Sequence, residues 1–180
     1  MPTFSKINVI DLESTCWNNK VDIRPEIIQI GICIFDPTTK EITKENSFLC
    51  KPLELPLSTY CTTLTGITTN QVKSSPPLRE TINTIKKQYP IRSQPIAAWG
   101  ESDRIQLLSE FKRKGIDCPL FDSYINVSLL FNLLKNIKKL TNLLKALELC
   151  NLEPIGTWHN AKDDAVNTAR ILKYLIENQV

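Results

Sequence analysis

The residues best suited to chemistry in this sequence are four acids and its single histidine. Asp11 and Glu13 alternate near the start of the chain, Asp103 lies in its middle, and His159 stands five positions before Asp164 near its end. Apolar segments lie beside the acids near the start of the chain and beside those near its end. A carboxylate buried in such a segment costs free energy unless it is paired. We therefore expect the fold to bring these five side chains together as a metal-dependent phosphodiesterase site.

The first two acids are placed by the period of a β-strand. Asp11 and Glu13 are two positions apart, so their side chains leave the same face of a strand about 7 Å apart. Two carboxylates at this spacing can share hard divalent cations, which prefer oxygen ligands. The alternative is a half-exposed strand whose acids are merely solvated. The apolar neighbours Val9, Ile10 and Leu12 instead indicate a strand that is buried on both faces.

The other acids lie in the first turns of predicted helices. Taken alone, Asp103 has the position of a residue that stabilises a helix dipole, although it also follows a buried strand, where open α/β sheets collect functional groups. Asp164 is expected to face a metal ion, whereas its rival Asp163 points about 100° away round the helix and is expected to act as a cap. His159 lies on the preceding loop, and an imidazole can take a proton from an attacking water near neutral pH. Two cations about 4 Å apart would then stabilise the attacking and leaving oxygens of a phosphate.

Composition excludes several classes of protein. The chain has 180 residues, of which 42% are hydrophobic and 23% charged, and this fits one folded domain over residues 1–180. It has neither an apolar run of about 20 residues nor a secretory leader, so we expect no membrane association. The net charge of +3 gives no sequence-wide polycation. Six cysteines without a Cys-x-x-Cys pair predict reduced thiols and a cytoplasmic location rather than disulfides or a zinc site.

The elements that must position these residues follow from hydrophobic periodicity and turn signals. The sequence predicts strands over residues 6–13, 27–35, 41–50, 95–99 and 121–125, the second and third forming an antiparallel hairpin. It predicts helices over residues 78–88, 102–114, 127–135, 140–149 and 163–177. In the second helix, Ser102 is expected to be the cap, and Ile105, Leu108 and Phe111 the buried stripe. Three strands followed by alternating helices and strands indicate an α/β fold with a mixed sheet covered by helices.

Three motifs, in this order, resemble those of the DEDDh 3′–5′ exonuclease family. They are Asp11-Leu12-Glu13-Ser14-Thr15-Cys16-Trp17, then Trp99-Gly100-Glu101-Ser102-Asp103, and then His159 followed by Asp164. Segments 25–31 and 64–68 are similar to those of the Eri-1-like branch, which includes KapD-type bacterial proteins. The resemblance spans nearly the whole chain. It implies an RNase H-like fold, in which a mixed five- or six-stranded sheet is flanked by helices.

The resemblance also implies an activity and roles for the five residues. The activity would be removal of nucleoside 5′-monophosphates from the 3′ end of a single-stranded nucleic acid, with RNA as the expected substrate and DNA as the alternative. Asp11, Glu13, Asp103 and Asp164 would hold two Mg²⁺ or Mn²⁺ ions, and Glu13 would also count as catalytic. His159 would be the general base. Protein partners are unknown from the sequence.

Substrate contacts are carried over in the same way. The terminal nucleotide would meet Leu12 and Ser14, and its base or sugar would lie near the loop of Thr65, Gly66 and Ile67. Basic residues in segments 112–114 and 135–145 could lie along phosphates, although such lysines are commonly just solvated.

One departure and two alternatives remain open. Relatives often carry an aromatic residue where this chain has Ser102, a departure that bears on packing or on substrate placement and removes no metal ligand. The alternative outside enzymes is a non-catalytic module that keeps the exonuclease fold and serves in nucleic-acid binding or regulation. Proofreading or oligoribonucleotide degradation is the alternative among enzymes, and the motifs do not separate it because the reaction is the same.

Overall fold

The structure, a computed structural model, describes residues 4–120 and 122–178, and its centre is a mixed β-sheet. Its strands are β1 (Ile7–Ser14), β2 (Ile27–Phe35), β3 (Ile42–Leu49), β4 (Ile96–Ala98) and β5 (Tyr124–Asn126). The order across the sheet is β3-β2-β1-β4-β5. The first three strands are antiparallel neighbours, whereas β1, β4 and β5 run parallel to one another. The predicted α/β fold with a mixed sheet is confirmed, with five strands.

Helices cover both faces of this sheet. They are α1 (Thr59–Thr65), α2 (Thr69–Lys73), α3 (Leu78–Gln88), α4 (Ser102–Lys114), α5 (Val127–Leu134), α6 (Leu143–Leu149) and α7 (Ala161–Glu177). Hydrophobic periodicity gives no signal for α1 and α2 because both are short. Their capping residues do: Ser58 accepts a hydrogen bond from the Cys61 N–H, and Thr68 forms a capping box with Gln71. No helix within the described ranges is long and apolar enough to cross a membrane.

Several predicted details of the helices and strands are wrong. The cap of α4 is Glu101 rather than Ser102, and Glu101 makes no side-chain capping bond. Ile105 and Leu108 are 62% and 36% exposed, because α4 turns Leu107 toward the sheet together with Phe111, the one correctly predicted residue of the stripe. Helix α6 begins at Leu143 rather than at residue 140, because the side chain of Asn142 caps it. The last strand lies at Tyr124–Asn126, and Phe121 of the predicted strand falls outside the described residues.

Strand β1 is buried between two separate apolar cores. Its alternate side chains point to opposite faces. Val9 belongs to the core that also contains Phe131 of α5, Leu147 of α6 and Leu172 of α7. Ile10 belongs to the core formed with α3 and α4 on the other face. The prediction of a strand buried on both faces is therefore confirmed, and β1 provides a rigid base for its two acids.

Candidate active site

The sheet order places Asp103 beside the two acids of β1. Strands β1 and β4 are parallel neighbours, with Asn8 opposite Ile96. The carboxyl ends of parallel strands meet at one edge of the sheet, so the end of β1 with Asp11 and Glu13 lies next to the chain that leaves β4. That chain turns at once into α4, whose first turn contains Asp103.

The fourth acid is placed by a close contact between α7 and β2. Gly31 of β2 pairs with Asp11 of β1, and a Cβ atom added at Gly31 would lie 1.9 Å from the carbonyl oxygen of Ala161. Glycine therefore permits the first turn of α7 to rest directly on the strand. On the same strand, the side-chain oxygen of Gln29 accepts a hydrogen bond of 3.0 Å from the Ala161 N–H. These two contacts fix the turn that contains Asp164.

All five residues predicted from the sequence line one cleft of about 650 Å³. Four further wall residues come from the same motifs, and four more come from the start of α6 and the loop before α7. The complete lining is Asp11, Leu12, Glu13, Trp99, Gly100, Ser102, Asp103, Asn142, Leu143, Leu144, Trp158, His159 and Asp164. The lining thus combines four acids and a histidine with several apolar side chains.

The four carboxylates disfavour one another's charge. Burial raises the pKa of Glu13 to about 8, and the charges of Asp164 and Asp103 add to this effect. Burial also raises the pKa values of Asp103 and Asp164 to about 6, although backbone hydrogen bonds oppose the change. The pKa of Asp11 lies well above its ordinary value because of burial and then of repulsion from the other three acids. Such a cluster is stabilised either by protons or by bound cations.

The donor atoms fit a divalent cation. Oxygen or nitrogen atoms of Glu13, His159 and Asp164 lie within 4.8 Å of one another. One carboxylate oxygen of Asp164, Oδ1, is buried and has no hydrogen-bond partner among the described residues. A buried acceptor without a partner is costly, and a bound cation would remove that cost. The cleft is therefore a candidate divalent-metal site.

His159 is held in place through its backbone. Its N–H donates a hydrogen bond of 3.0 Å to Oδ2 of Asp164, and its φ angle of +60° is in the left-handed region. That conformation costs a non-glycine residue roughly 1 kcal/mol or more, and such strain is concentrated at functional sites. The imidazole is 52% exposed, with Nδ1 4.0 Å from Oε1 of Glu13. It can therefore meet both the acids and a ligand entering from solvent.

The neighbouring acid Asp163 has a different partner. Its Oδ2 accepts a hydrogen bond of 2.9 Å from the Thr157 N–H, and Asn160 rather than Asp163 is the cap of α7. Asp163 does not line the cleft. It binds the loop that leads to His159, so the predicted contrast with Asp164 is reproduced, but the expected helix-capping role is wrong.

Only one of the five residues predicted to contact the substrate lines the cleft. Leu12 lines the cleft, but Ser14 does not. Thr65 and Ile67 are buried, and the Thr65 hydroxyl oxygen is used within the loop, donating to the Cys61 carbonyl and accepting from the Ile67 N–H. Gly66 ends α1 in the left-handed conformation. None of these three residues lines the cleft, and their contact with a nucleotide stays a prediction.

Four wall residues were not singled out from the sequence. Trp158 directly precedes His159, and this adjacency was a usable signal. Asn142, Leu143 and Leu144 come from the start of α6 and have no motif of their own. They reach the cleft through the packing of α6 against α7.

The basic segment 112–114 is mostly occupied by internal ion pairs. Arg113 and Lys114 lie 3.0 and 3.1 Å from a carboxylate oxygen of the buried Glu26, and both also pair with the buried Glu110. The expectation that this segment lies along phosphates is therefore wrong for Arg113 and Lys114. Their charge instead compensates two buried acids.

Comparison with known proteins agrees with this geometry. Residues 8–172 match the sequence model of the RNase_T family, described as "Exonuclease". The chain belongs to this exonuclease family. It is 32% identical to human "ERI1 exoribonuclease 2" over 97% of the chain, and 26% identical to "Probable 3′-5′ exonuclease KapD" of Bacillus subtilis over 98%. The predicted family and its Eri-1-like branch are confirmed.

The exonuclease fold is also confirmed by a solved structure. The nuclease domain of 3′hExo, a DEDDh family member bound to rAMP, superposes with a TM-score of 0.84 over 98% of this chain and 94% of that one, at 24% identity. The chain spans 87% of KapD but only 29% of human "ERI1 exoribonuclease 2". It thus matches less than a third of that longer relative.

Proposed function

We propose that this chain is a 3′–5′ exonuclease that hydrolyses the terminal phosphodiester of single-stranded RNA and releases a nucleoside 5′-monophosphate. The observation that carries the proposal is the convergence of Asp11, Glu13, Asp103, Asp164 and His159 in one cleft. Membership of the exonuclease family supports the same reaction. The RNA substrate is supported by relatives that are named exoribonucleases and by the rAMP bound to 3′hExo.

The four acids would hold two Mg²⁺ or Mn²⁺ ions. The raised pKa values of the acids support this assignment, because they show that the carboxylate form is unfavourable without a nearby cation. The buried Oδ1 of Asp164 supports it as well, because this oxygen has no hydrogen-bond donor among the described residues. When bound, the ions would supply positive charge that stabilises the charge developing on the phosphate during hydrolysis. Hard cations and carboxylate oxygens are matched partners.

His159 acts as the general base. Its imidazole takes a proton from the attacking water, whose oxygen forms the new bond to phosphorus as the bond to the 3′ oxygen of the preceding nucleotide breaks. The released 3′ oxygen takes up a proton from solvent and leaves as the new 3′ hydroxyl of the shortened strand. Asp164 holds the backbone of His159 while its second oxygen stays available to a cation. The exposure of the imidazole lets the substrate strand enter beside it.

The apolar wall supports nucleotide binding. Leu12, Leu144 and Trp158 contribute hydrophobic surface to the same cleft as the acids. Bases bind such surfaces by stacking and apolar contact without strong sequence preference. This arrangement suits a terminal nucleotide whose base lies against the wall and whose phosphate lies against the acids.

The test is digestion of matched RNA and DNA oligonucleotides that carry a 5′ label, in Mg²⁺ or Mn²⁺. The wild type should shorten the RNA from its 3′ end and release mononucleotides. Asp11→Asn should lower the rate by roughly 10²–10³-fold, the usual cost of losing one group that stabilises transition-state charge. Because this substitution also removes a repelled buried charge, the metal-free variant should unfold at or above the wild-type temperature, which excludes misfolding as the cause.

Two outcomes would contradict the proposal. If the wild type and Asp11→Asn are equally inert on both nucleic acids with both metals, the chain is a non-catalytic module. If the labelled products show removal of nucleotides from the 5′ end, the 3′–5′ direction is wrong. If they show cleavage within the strand, the exonuclease assignment is wrong. Preferential digestion of DNA would overturn the RNA assignment alone.

A further inference from the structure

In one stretch of the chain, every charged residue is a lysine. From Ser123 to Leu147, which includes α5 and the start of α6, the sequence has four lysines and no other charged residue. This stretch has a charge of +4, from four lysines and no acids, whereas the whole chain has +3. Within it, residues 138–144 are here called the basic rim.

The basic rim is attached to the cleft. Its last residues, Asn142 to Leu144, line the cleft wall. The indole N–H of Trp99, another wall residue, donates a hydrogen bond of 3.1 Å to the carbonyl of Thr141, and the Thr141 hydroxyl donates one of 2.7 Å to Asn132. Lys139 is three residues before Asn142, so their Cα atoms are at most about 11 Å apart. The rim is thus a fixed continuation of the site.

Two of the four lysines are available to a ligand. Lys145 pairs with Glu148 at 2.8 Å, and Lys135 lies 4.7 Å from the centre of an aromatic ring of α7. Lys138 and Lys139 are exposed and have no ion pair or hydrogen bond within residues 4–120 and 122–178. Unpaired cations at the mouth of an acidic cleft would attract an anion that extends beyond the cleft.

Apolar side chains accompany these cations. Leu140 is 71% exposed and Leu144 is 41% exposed, on either side of the anchored Thr141. A ligand for this surface must offer both negative charge and apolar faces. A single strand of nucleic acid does so, through its phosphates and its bases.

We propose that the basic rim binds the nucleotides on the 5′ side of the terminal phosphodiester, with Lys138 and Lys139 contacting their phosphates and Leu140 contacting a base. This inference rests on the proposed function, because it assumes that the 3′ end lies in the cleft. The rim then holds the strand while its end is cut. The acids of the cleft would otherwise repel the neighbouring phosphates.

The test compares substrates of different length. In Lys138→Gln/Lys139→Gln, the KM for a long oligouridylate should rise roughly 5- to 30-fold, as expected for the loss of two exposed ion pairs. The rate on a diuridylate should not change, because its one phosphate is the scissile one and no further phosphate is left for the two lysines. The slope of log binding constant against log salt concentration should become shallower by about 1.4 for the long strand.

Two variants serve as controls. Lys138→Arg/Lys139→Arg should restore wild-type KM and salt slope, because the charge is retained. Lys51→Gln/Lys87→Gln removes two exposed lysines, one from α3 and one from the segment that pairs with the start of α3; neither lines the cleft, and the variant should change neither quantity.

Binding is also measured without turnover. Fluorescence anisotropy of a labelled oligouridylate in Mg²⁺, with His159→Ala as the background, should show the same loss of affinity when the two lysines are replaced. Equal affinity and equal salt slope with and without the lysines would overturn the inference. A failure of the proposed function would appear differently, as a wild type that binds in a lysine-dependent manner but hydrolyses neither substrate.

Discussion

The contact between Gly31 and α7 yields the sharpest test of how the site is built. In Gly31→Ala, the new methyl group would lie 1.9 Å from the Ala161 oxygen and 2.3 Å from the Lys162 nitrogen. Both are backbone atoms of a helix, so no side-chain rotation relieves the clash. Ordinary contact begins at 3.4 Å, so the start of α7 must retreat by roughly 1.5 Å.

This retreat has consequences for stability and for activity. Overpacking costs about 1–3 kcal/mol, and weakening the bond from Ala161 to Gln29 adds about 1 kcal/mol. For a chain of this size, 2–4 kcal/mol lowers the unfolding temperature by roughly 5–15 °C. Asp164 moves with the helix, and a displacement of about 1 Å in a catalytic group can cost 10²-fold in rate.

The assay pairs thermal unfolding with hydrolysis of a 3′-end oligonucleotide measured well below the unfolding temperature. Gly115→Ala is the control for stability, because Gly115 has φ +60° at the end of α4 and does not line the cleft. It should lose about 1 kcal/mol while keeping its kcat. If Gly31→Ala unfolds at the wild-type temperature with wild-type kcat, the strand contact does not position Asp164.

Three further predictions concern the chemistry of the cleft. His159→Ala should lower kcat by roughly 10²–10⁴-fold, the usual contribution of an acid–base group, and a near-normal kcat would remove the histidine from the mechanism. Asp164→Asn should depress activity and Mn²⁺ affinity in calorimetric titration far more than Asp163→Asn; the reverse order would mean that the metal ligand has been misassigned. Because the pKa of Glu13 rises from 4.5 to about 8 on folding, the folded protein keeps a proton that the unfolded chain releases. The metal-free protein should therefore lose stability as pH rises from about 5 to 8, and Mn²⁺ should raise the unfolding temperature more at pH 8; an equal rise at both pH values would contradict this.

Local pattern was enough for most of the fold. The β-branched run of β1, the turn after β2 and the apolar period of α7 each depend on neighbours within a few residues, so the sequence predicts them directly. The errors arise where longer-range packing decides. Ile105 and Leu107 are both apolar, and only the docking of α4 on the sheet determines that Leu107 is buried.

The chemical groups of the site can be read from the amino-acid sequence alone. Asp11, Glu13, Asp103, His159 and Asp164 are recognisable because their types and order form a pattern that does not depend on coordinates. Whether they meet was decided by the tertiary structure, because residues about 150 positions apart are brought together only by the parallel pairing of β1 with β4 and by the seating of α7 on β2.

The same distinction applies to the groups that support these residues. Gly31 could have been suspected from the rule that glycine inside a strand marks a close backbone approach. Leu144 had no such signal, since a leucine in a helical segment looks alike whether it faces solvent or a cleft. Lys139 was a candidate only as one of the basic residues of segment 135–145, and the sequence does not distinguish a lysine that binds phosphate from one that is merely solvated. Only the packing of α6 beside the acids makes that surface a candidate path for the substrate, because side-chain direction relative to a distant element is a property of the whole fold.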